Sequence, residues 1–533
     1  MLTKIFSASI SGIDAIPVSI ETSSTNGASF MIVGLADTAV KEAYQRITTA
    51  IEHSGLSWPH RRMVINLAPA DIKKEGAHFD LPMAIGILSA NGMMEGADLE
   101  ATMVMGELSL DGSVLPVRGA LPVAILARSM GLKRLIVPEA NATEAAVVNN
   151  LEVYGVKSLG EATAILTNNS DISPTNIDTR RIFAESVDRF DFDFAEVKGQ
   201  ESVKRALEIA CAGGHNILLV GPPGAGKSMM AKRIPSILPP FSMAEALETT
   251  KIHSVAGKLK RGSMLMTSRP FRSPHHTISP VALVGGGLSP MPGEISLAHN
   301  GVLFLDEFPE FPRTVLEVLR QPIEDRVITV SRSKYTVDYP TSFMLVASMN
   351  PCPCGYYGHP TRRCTCPPGA VAKYMGRISG PLLDRIDIQI EIEPVEFDAM
   401  ASRAPGEGSM EIRQRVMLAR GVQSARYREE KGIYNNSQMN SRLLQKYAWP
   451  DEAGMAKLKE RMTRLNMSAR AFDRILRVAR TIADLDYSTR RNPDGSFCHT
   501  PEEVVAMPVS TAHLAEAIGY RNLDRGNYGT TFG

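Results

Sequence analysis

The 533-residue sequence predicts a multidomain α/β protein with a helical C-terminal part, and three observations carry that prediction. The apolar run Ile217-Leu218-Leu219-Val220 leads directly into Gly221-Pro222-Pro223-Gly224-Ala225-Gly226-Lys227-Ser228, and the helix-compatible stretch Met229-Met230-Ala231-Lys232 follows. Gly301-Val302-Leu303-Phe304-Leu305 and Phe343-Met344-Leu345-Val346-Ala347-Ser348 are further apolar strand runs; Asp306 and Glu307 end the first, and Met349-Asn350 ends the second. From about residue 405 the pattern changes, and Met410-Glu411-Ile412-Arg413-Gln414-Arg415-Val416-Met417 spaces its apolar residues three and four apart, the period of an amphipathic helix.

In chain order, residues 1–167 mix β-rich runs such as Ile32-Val33-Gly34-Leu35 and Met63-Val64-Ile65-Asn66-Leu67 with helical ones such as Ala124-Ile125-Leu126-Ala127-Arg128, an α+β pattern. Residues 168–192 read as a linker, because Asn168-Asn169-Ser170-Asp171-Ile172-Ser173-Pro174 is polar and turn-rich. The nucleotide-binding core is expected over 193–402, a helical lid over 403–525, and a flexible Gly/Thr-rich tail over 526–533.

Composition bounds the function. With 44% hydrophobic and 22% charged residues the chain has ordinary globular usage, and its length suits roughly three or four domains. No apolar run approaches the roughly 20 residues that span a bilayer. Met1-Leu2-Thr3-Lys4-Ile5-Phe6-Ser7 lacks the long apolar stretch of an export signal, so a cytoplasmic protein with no membrane partner is expected. A formal charge of +1 argues against a polybasic coat and makes any contact with nucleic acid local, for example inside a ring pore.

The segment 221–228 has the residue types that triphosphate chemistry needs. Glycines let the backbone curl so that several N–H groups face phosphate, Lys227 neutralises β/γ charge, and the Ser228 hydroxyl is a ligand for Mg²⁺. The following helix adds the positive end of its dipole. Asp306 is placed to hold the Mg²⁺ through water and Glu307 to polarise an attacking water. The competing reading is that two carboxylates after a strand merely start the next helix, where the dipole favours them. Phosphoryl transfer is mostly positioning and charge stabilisation, so a γ-phosphate sensor and a late-arriving cation are also required. Asn350, beside the Asp306 strand end, and Arg385, on a turn between apolar pieces, are the candidates.

With Gly221–Ser228, Leu303-Phe304-Leu305-Asp306-Glu307, Ser348-Met349-Asn350-Pro351 and Gly380-Pro381-Leu382-Leu383-Asp384-Arg385, the chain resembles the magnesium-chelatase-like branch of the AAA+ ATPases. Adding Arg269-Pro270-Phe271-Arg272-Ser273-Pro274-His275-His276-Thr277, Gly293-Glu294-Ile295-Ser296-Leu297-Ala298-His299 and Ala479-Arg480-Thr481-Ile482-Ala483-Asp484-Leu485, it is similar to the YifB/ComM family over essentially its whole length. That resemblance implies a homo-hexameric ATPase that uses ATP and Mg²⁺ and acts on single-stranded or branched DNA. A branch-migration helicase or translocase, working with recombination proteins during natural transformation, is the implied activity. It further implies Asn350 as sensor 1, Arg385 as an arginine finger toward a neighbouring subunit, and Arg470 as sensor 2, although Arg474, Arg477 and Arg480 share its predicted helix.

Residues 1–167 resemble the Lon protease domain, of ribosomal S5-like fold, through Lys74-Glu75-Gly76 and Gly106-Glu107-Leu108-Ser109-Leu110-Asp111-Gly112. Serine–lysine peptidase chemistry needs both members of its dyad. In that alignment His78 stands in place of the serine and Leu121 in place of the lysine, so a reused scaffold is expected instead of a protease.

Val327-Ile328-Thr329-Val330-Ser331-Arg332-Ser333-Lys334-Tyr335-Thr336-Val337 alternates and turns like a hairpin, with Arg332 and Lys334 at its tip. Such cations grip phosphates without reading bases, although a solvated tip carries them too. Ile278–Pro290 is a second hairpin candidate. His275 and His276, near Arg269 and Arg272, suit phosphate, a neighbouring subunit, DNA, or hydrogen bonds within their own loop. Cys352, Cys354, Cys364 and Cys366 are paired so closely that a structural Zn²⁺ is expected ahead of free thiols or a redox role, with His359 as a substitute ligand. Cys211 and Cys498 are isolated and read as packing or surface residues. Two other functions share the core motifs: a chelatase-type ATPase subunit acting on a protein partner, and an ATP-dependent protease.

Overall fold

The structure is a computed structural model that describes residues 1–179, 181, 183, 190–259, 264–287, 290–332, 335–394, 406–465 and 467–521. The N-terminal part is built on a mixed sheet of seven strands in the order Ser29–Val33, Arg62–Ala68, Asp14–Thr25, Leu2–Ser11, Thr102–Val104, Arg134–Pro138, Glu152–Val156. The first hairpin, Leu2–Ser11 with Asp14–Thr25, is antiparallel, whereas Thr102–Val104, Arg134–Pro138 and Glu152–Val156 pair in parallel. Helix Asp80–Ala90 is apolar on every side and buried throughout, as a helix with no solvent face must be. It lies so close to the sheet that a Cβ on Gly86 would come within 2.6 Å of Thr22 Oγ1.

The central part carries a five-stranded sheet in the order Phe271–Arg272, Val302–Leu305, Met344–Met349, Ile217–Val220, Ile388–Glu391, every pairing parallel. Val302–Leu305, Met344–Met349 and Ile217–Val220 are buried at every position, which is why they read as continuous apolar runs without alternation. The segments that follow Val220, Leu305 and Met349 therefore leave from one edge of one sheet. In parallel sheets that carboxyl edge, where the strand order reverses, is where ligands collect.

The C-terminal part is helical: Ser409–Arg426, Ser441–Tyr447, Glu452–Leu465, Ala469–Ser488, Pro501–Val505 and Thr511–Gly519. Ala469–Ser488 starts at Ser468, whose hydroxyl accepts from the N–H of Ala471, and packs Ile475, Leu476, Ala479, Ile482 and Ala483 into the same apolar core as Ile217 and Leu219. Asp484 is fully buried here between Arg426 (2.6 Å) and Arg480 (2.8 Å) and also accepts from Asn436 (2.8 Å).

Val327–Arg332 and Tyr335–Pro340 form the expected antiparallel hairpin. Its middle touches the turn between the first two strands of the N-terminal part, since a Cβ on Gly12 would lie 2.7 Å from Val337 Cγ1. Lys334 and the side chain of Arg332 lie outside the described residues. The second hairpin is shorter than expected: Pro280–Val284 is a helical turn capped by Ser279, and only Gly285–Gly286 pairs with Met291–Pro292. Ser279-Pro280 supplies a helix N-cap and first-turn proline, which outweigh the strand tendency of Val281 and Val284. Residues 522–533, which include the expected tail, and 395–405, at the expected boundary with the helical part, lie outside the described residues.

Candidate nucleotide site

The loop 221–228 turns on Gly224 (φ +80°) and Gly226 (φ +84°), a left-handed conformation that side chains disfavour. A Cβ added at either glycine would meet nothing within 4 Å, so the cradle is open toward a ligand. Helix Lys227–Ile237 begins at once and directs its free N–H groups at the loop. Lys227 Nζ donates to the carbonyls of Gly221 (2.7 Å) and Pro222 (2.9 Å) and to Asn350 Oδ1 (3.1 Å). Burial pulls its ammonium below the usual lysine range, against the opposing charges of Asp306 and Glu307.

Ser228 Oγ donates to Asp306 Oδ2 (2.7 Å), and Ser348 donates to Asp306 Oδ1. A hydroxyl and a carboxylate this close are hard oxygen donors of the kind Mg²⁺ takes when phosphate and water complete its shell. The donor set thus fits the ion the sequence implies. Glu307 follows at φ +55°, a strained conformation for a side-chain-bearing residue of the sort that gathers at functional sites. Its carboxylate is exposed and faces His276 Nδ1 at 3.3 Å. Spacing along the sequence gave no sign of that contact. Its partner His275 bonds within its own loop, to Thr277 Oγ1 (3.0 Å).

Arg269 and Arg272 are structural. Arg269 is held by Glu245 (3.1 Å) and the carbonyls of Pro239 and Asn300, and Arg272 makes a two-pronged pair with Glu294 (2.6 and 2.7 Å). Arg385 and Arg470 are not brought to the loop. Arg385 is 8% exposed, pairs with Glu324 (2.8 Å) and donates to the carbonyl of Pro381. Arg470 is exposed and lines, with Arg326, Arg474 and Arg477, a cavity of about 430 Å³ that no residue of 221–228 lines. Arg474 there pairs with buried Asp387 (2.8 Å). Burial would raise the Asp387 carboxyl, but Arg474, His215 and the N–H of Asn216 outweigh it and hold it below the usual range.

The four cysteines 352, 354, 364 and 366 do come together, with every Sγ within 4.8 Å of the others, a group that can hold a metal ion. His359 stands apart from them; its Nδ1 accepts the backbone N–H groups of Thr361 and Arg362. Cys211 is fully buried in the core, and Cys498 donates to Asn492. In the N-terminal part, His78 faces the Ala8 carbonyl (3.0 Å), while Leu121 is buried and its N–H donates to Glu144 (3.0 Å).

The model of the magnesium chelatase subunit ChlI family matches residues 193–400, with companion models of the same subunit matching 18–141 and 406–494. The chain is 40% identical over 518 residues to the YifB protein of Salmonella typhimurium, covering 96% of each. It is 38% identical over 531 residues to the competence protein ComM of Haemophilus influenzae, covering 98% of each. The chain belongs to the YifB/ComM family of magnesium-chelatase-like proteins. The YifB/ComM match spans all three parts of the chain. By contrast, similarity to the magnesium-chelatase subunit ChlI of Olisthodiscus luteus is 24% over 171 residues and covers 30% of this chain. No helix among the described residues is long and apolar enough to cross a membrane.

Proposed function

We propose that this YifB/ComM protein is an AAA+ ATPase that works as a homo-hexamer on DNA, as a branch-migration helicase or translocase in recombination. The observation that carries the ATPase reading is the convergence of Lys227, Ser228, Asp306 and Asn350 at one edge of one parallel sheet. In this reading Lys227 and the loop N–H groups bind the β/γ-phosphates, and Ser228 and Asp306 hold Mg²⁺, which neutralises charge on the phosphate oxygens. Asn350 senses the γ-phosphate, and Glu307 orients the attacking water. Arg385 is assigned as an arginine finger to the nucleotide of the adjacent subunit, and Arg470 is read as sensor 2.

The DNA reading is supported by the hairpin 327–340, which follows the Asp306 strand and leads into the Asn350 strand. Arg332 and Lys334 are assigned to phosphate contacts there. The 1–167 region is read as a Lon-like scaffold turned into a collar, because His78 and Leu121 stand in place of the serine and lysine that the dyad mechanism needs. A protease is disfavoured for the same reason.

Steady-state ATPase rates with no DNA, single-stranded DNA and a mobile four-way junction test the reading. Stimulation by DNA is expected; a flat response would move the assignment to a chelatase-type ATPase remodelling a protein partner. In the double variant Arg332→Ala, Lys334→Ala, DNA stimulation should fall while basal hydrolysis survives. Retained stimulation would remove the hairpin from the mechanism.

A further inference from the structure

We propose that Cys352, Cys354, Cys364 and Cys366 bind one Zn²⁺ that clamps the segment after Asn350 against the phosphate-binding loop. The sulfur positions carry the metal assignment. Sγ of Cys352 lies 3.3 Å from that of Cys354 and 3.8 Å from that of Cys364, and the sulfurs of Cys354 and Cys364 are 3.6 Å apart. Four thiolates about 2.3 Å from one tetrahedral centre stand about 3.8 Å from each other. The observed spacings scatter around that value, and four soft sulfur donors select zinc or iron over the hard cations.

The surroundings complete the site. Gly355, at φ +84°, turns the chain between the two pairs, and its N–H donates to the Cys352 carbonyl (3.0 Å). The N–H of Tyr357 donates to Cys352 Sγ (3.3 Å), and those of Tyr356 and Thr365 face Cys354. Backbone donors aimed at the sulfurs are the outer support that holds metal thiolates in place. Residues 350–369 contain no helix or strand, and most of their side chains are at least partly exposed. A segment with so little apolar surface to bury draws its order from a cross-link, which a metal supplies.

The position of this site gives it a role. A Cβ on Gly355 would fall 2.6 Å from Pro223 Cδ, so the metal loop rests directly on the phosphate loop. The same segment leaves the strand that delivers Asn350 to Lys227. The clamp therefore sets the height of Pro223 and the reach of the Asn350 amide together.

Metal analysis of the full-length protein, purified without chelators, tests the assignment. One equivalent of zinc per chain is expected, released as the cluster thiols are titrated with an organomercurial. Its loss is expected in Cys354→Ser, Cys364→Ser. Zinc-free protein with all cluster thiols freely reactive, or iron in place of zinc, would overturn it, and both are read on the unaltered chain even where the variant does not fold. The clamp is tested by stripping zinc with a selective chelator in excess Mg²⁺ and measuring binding of a non-hydrolysable ATP analogue. Affinity should fall about tenfold, the effect of losing one hydrogen bond to a charged group such as that between Lys227 and Asn350, and return with added Zn²⁺. Unchanged affinity in the zinc-free protein would overturn the clamp while leaving the metal site.

Discussion

Glu307→Gln is expected to bind ATP and fail to hydrolyse it, with kcat reduced by about 10²–10⁴, the range a positioned general base contributes. The amide keeps the size of the side chain and the φ +55° backbone that aims it, but it loses the charge that polarises water. Lys227, Ser228 and Asp306 are untouched, so nucleotide binding should stay near that of the unaltered chain. Lys227→Ala should behave in the opposite way. That ammonium bridges the Gly221 and Pro222 carbonyls and the Asn350 amide, and its loss removes the cation at the β/γ position along with the link to the sensor. Equilibrium binding of labelled ATP alongside steady-state turnover separates the two. A Glu307→Gln protein that turns over normally would transfer the role of base elsewhere, and His276, 3.3 Å from that carboxylate, is the first group to examine.

Much of the site was legible because its parts are local. A strand, a glycine-rich turn and a helix N-terminus are contiguous in 217–232, and Asp306 and Asn350 each sit at the end of an apolar run whose burial is evident from composition. The structure supplies what order alone does not, namely the parallel pairing of those runs in one sheet. The contacts that escaped are those between distant loops. Nothing at residue 276 announces Glu307, and Arg269 reads as a free cation until Glu245 and the carbonyls of Pro239 and Asn300 close around it. Gly355 looks like an ordinary turn residue, whereas its meaning lies in Pro223, which no periodicity connects to it. The helix Ala469–Ser488 shows the same limit. Its apolar stripe was readable, but four arginines along it were indistinguishable by pattern, and the fold sends Arg470 to the surface while Arg480 is fully buried.

That buried arginine leads to the largest stability effect expected outside the nucleotide site. Asp484 is the carboxylate that pairs with both Arg426 and Arg480, all three with side chains 0% exposed. Burial would raise its carboxyl, but the two guanidinium groups and the Asn436 amide outweigh burial and hold it below the usual range. Asp484→Ala leaves two desolvated cations facing each other and strips Asn436 of an acceptor. Breaking such a pair by removing one partner costs about 3–5 kcal/mol. For a helical unit of roughly 116 residues that lowers its melting transition by about 12–20 °C. Arg442→Ala, which removes a solvent-exposed arginine from its pair with Glu430, should leave the transition nearly unchanged and serves as the control. The sign of the pH dependence follows from the depressed carboxyl. The contribution of Asp484 is complete above the ordinary carboxylate pKa of about 4 and is lost as pH falls through its lower folded value. The gap between unaltered chain and Asp484→Ala should therefore be wide at neutral pH and narrow in acid. Thermal unfolding followed by circular dichroism across that range checks both claims, and equal melting temperatures at neutral pH would mean that Arg426 and Arg480 find other partners when Asp484 is gone.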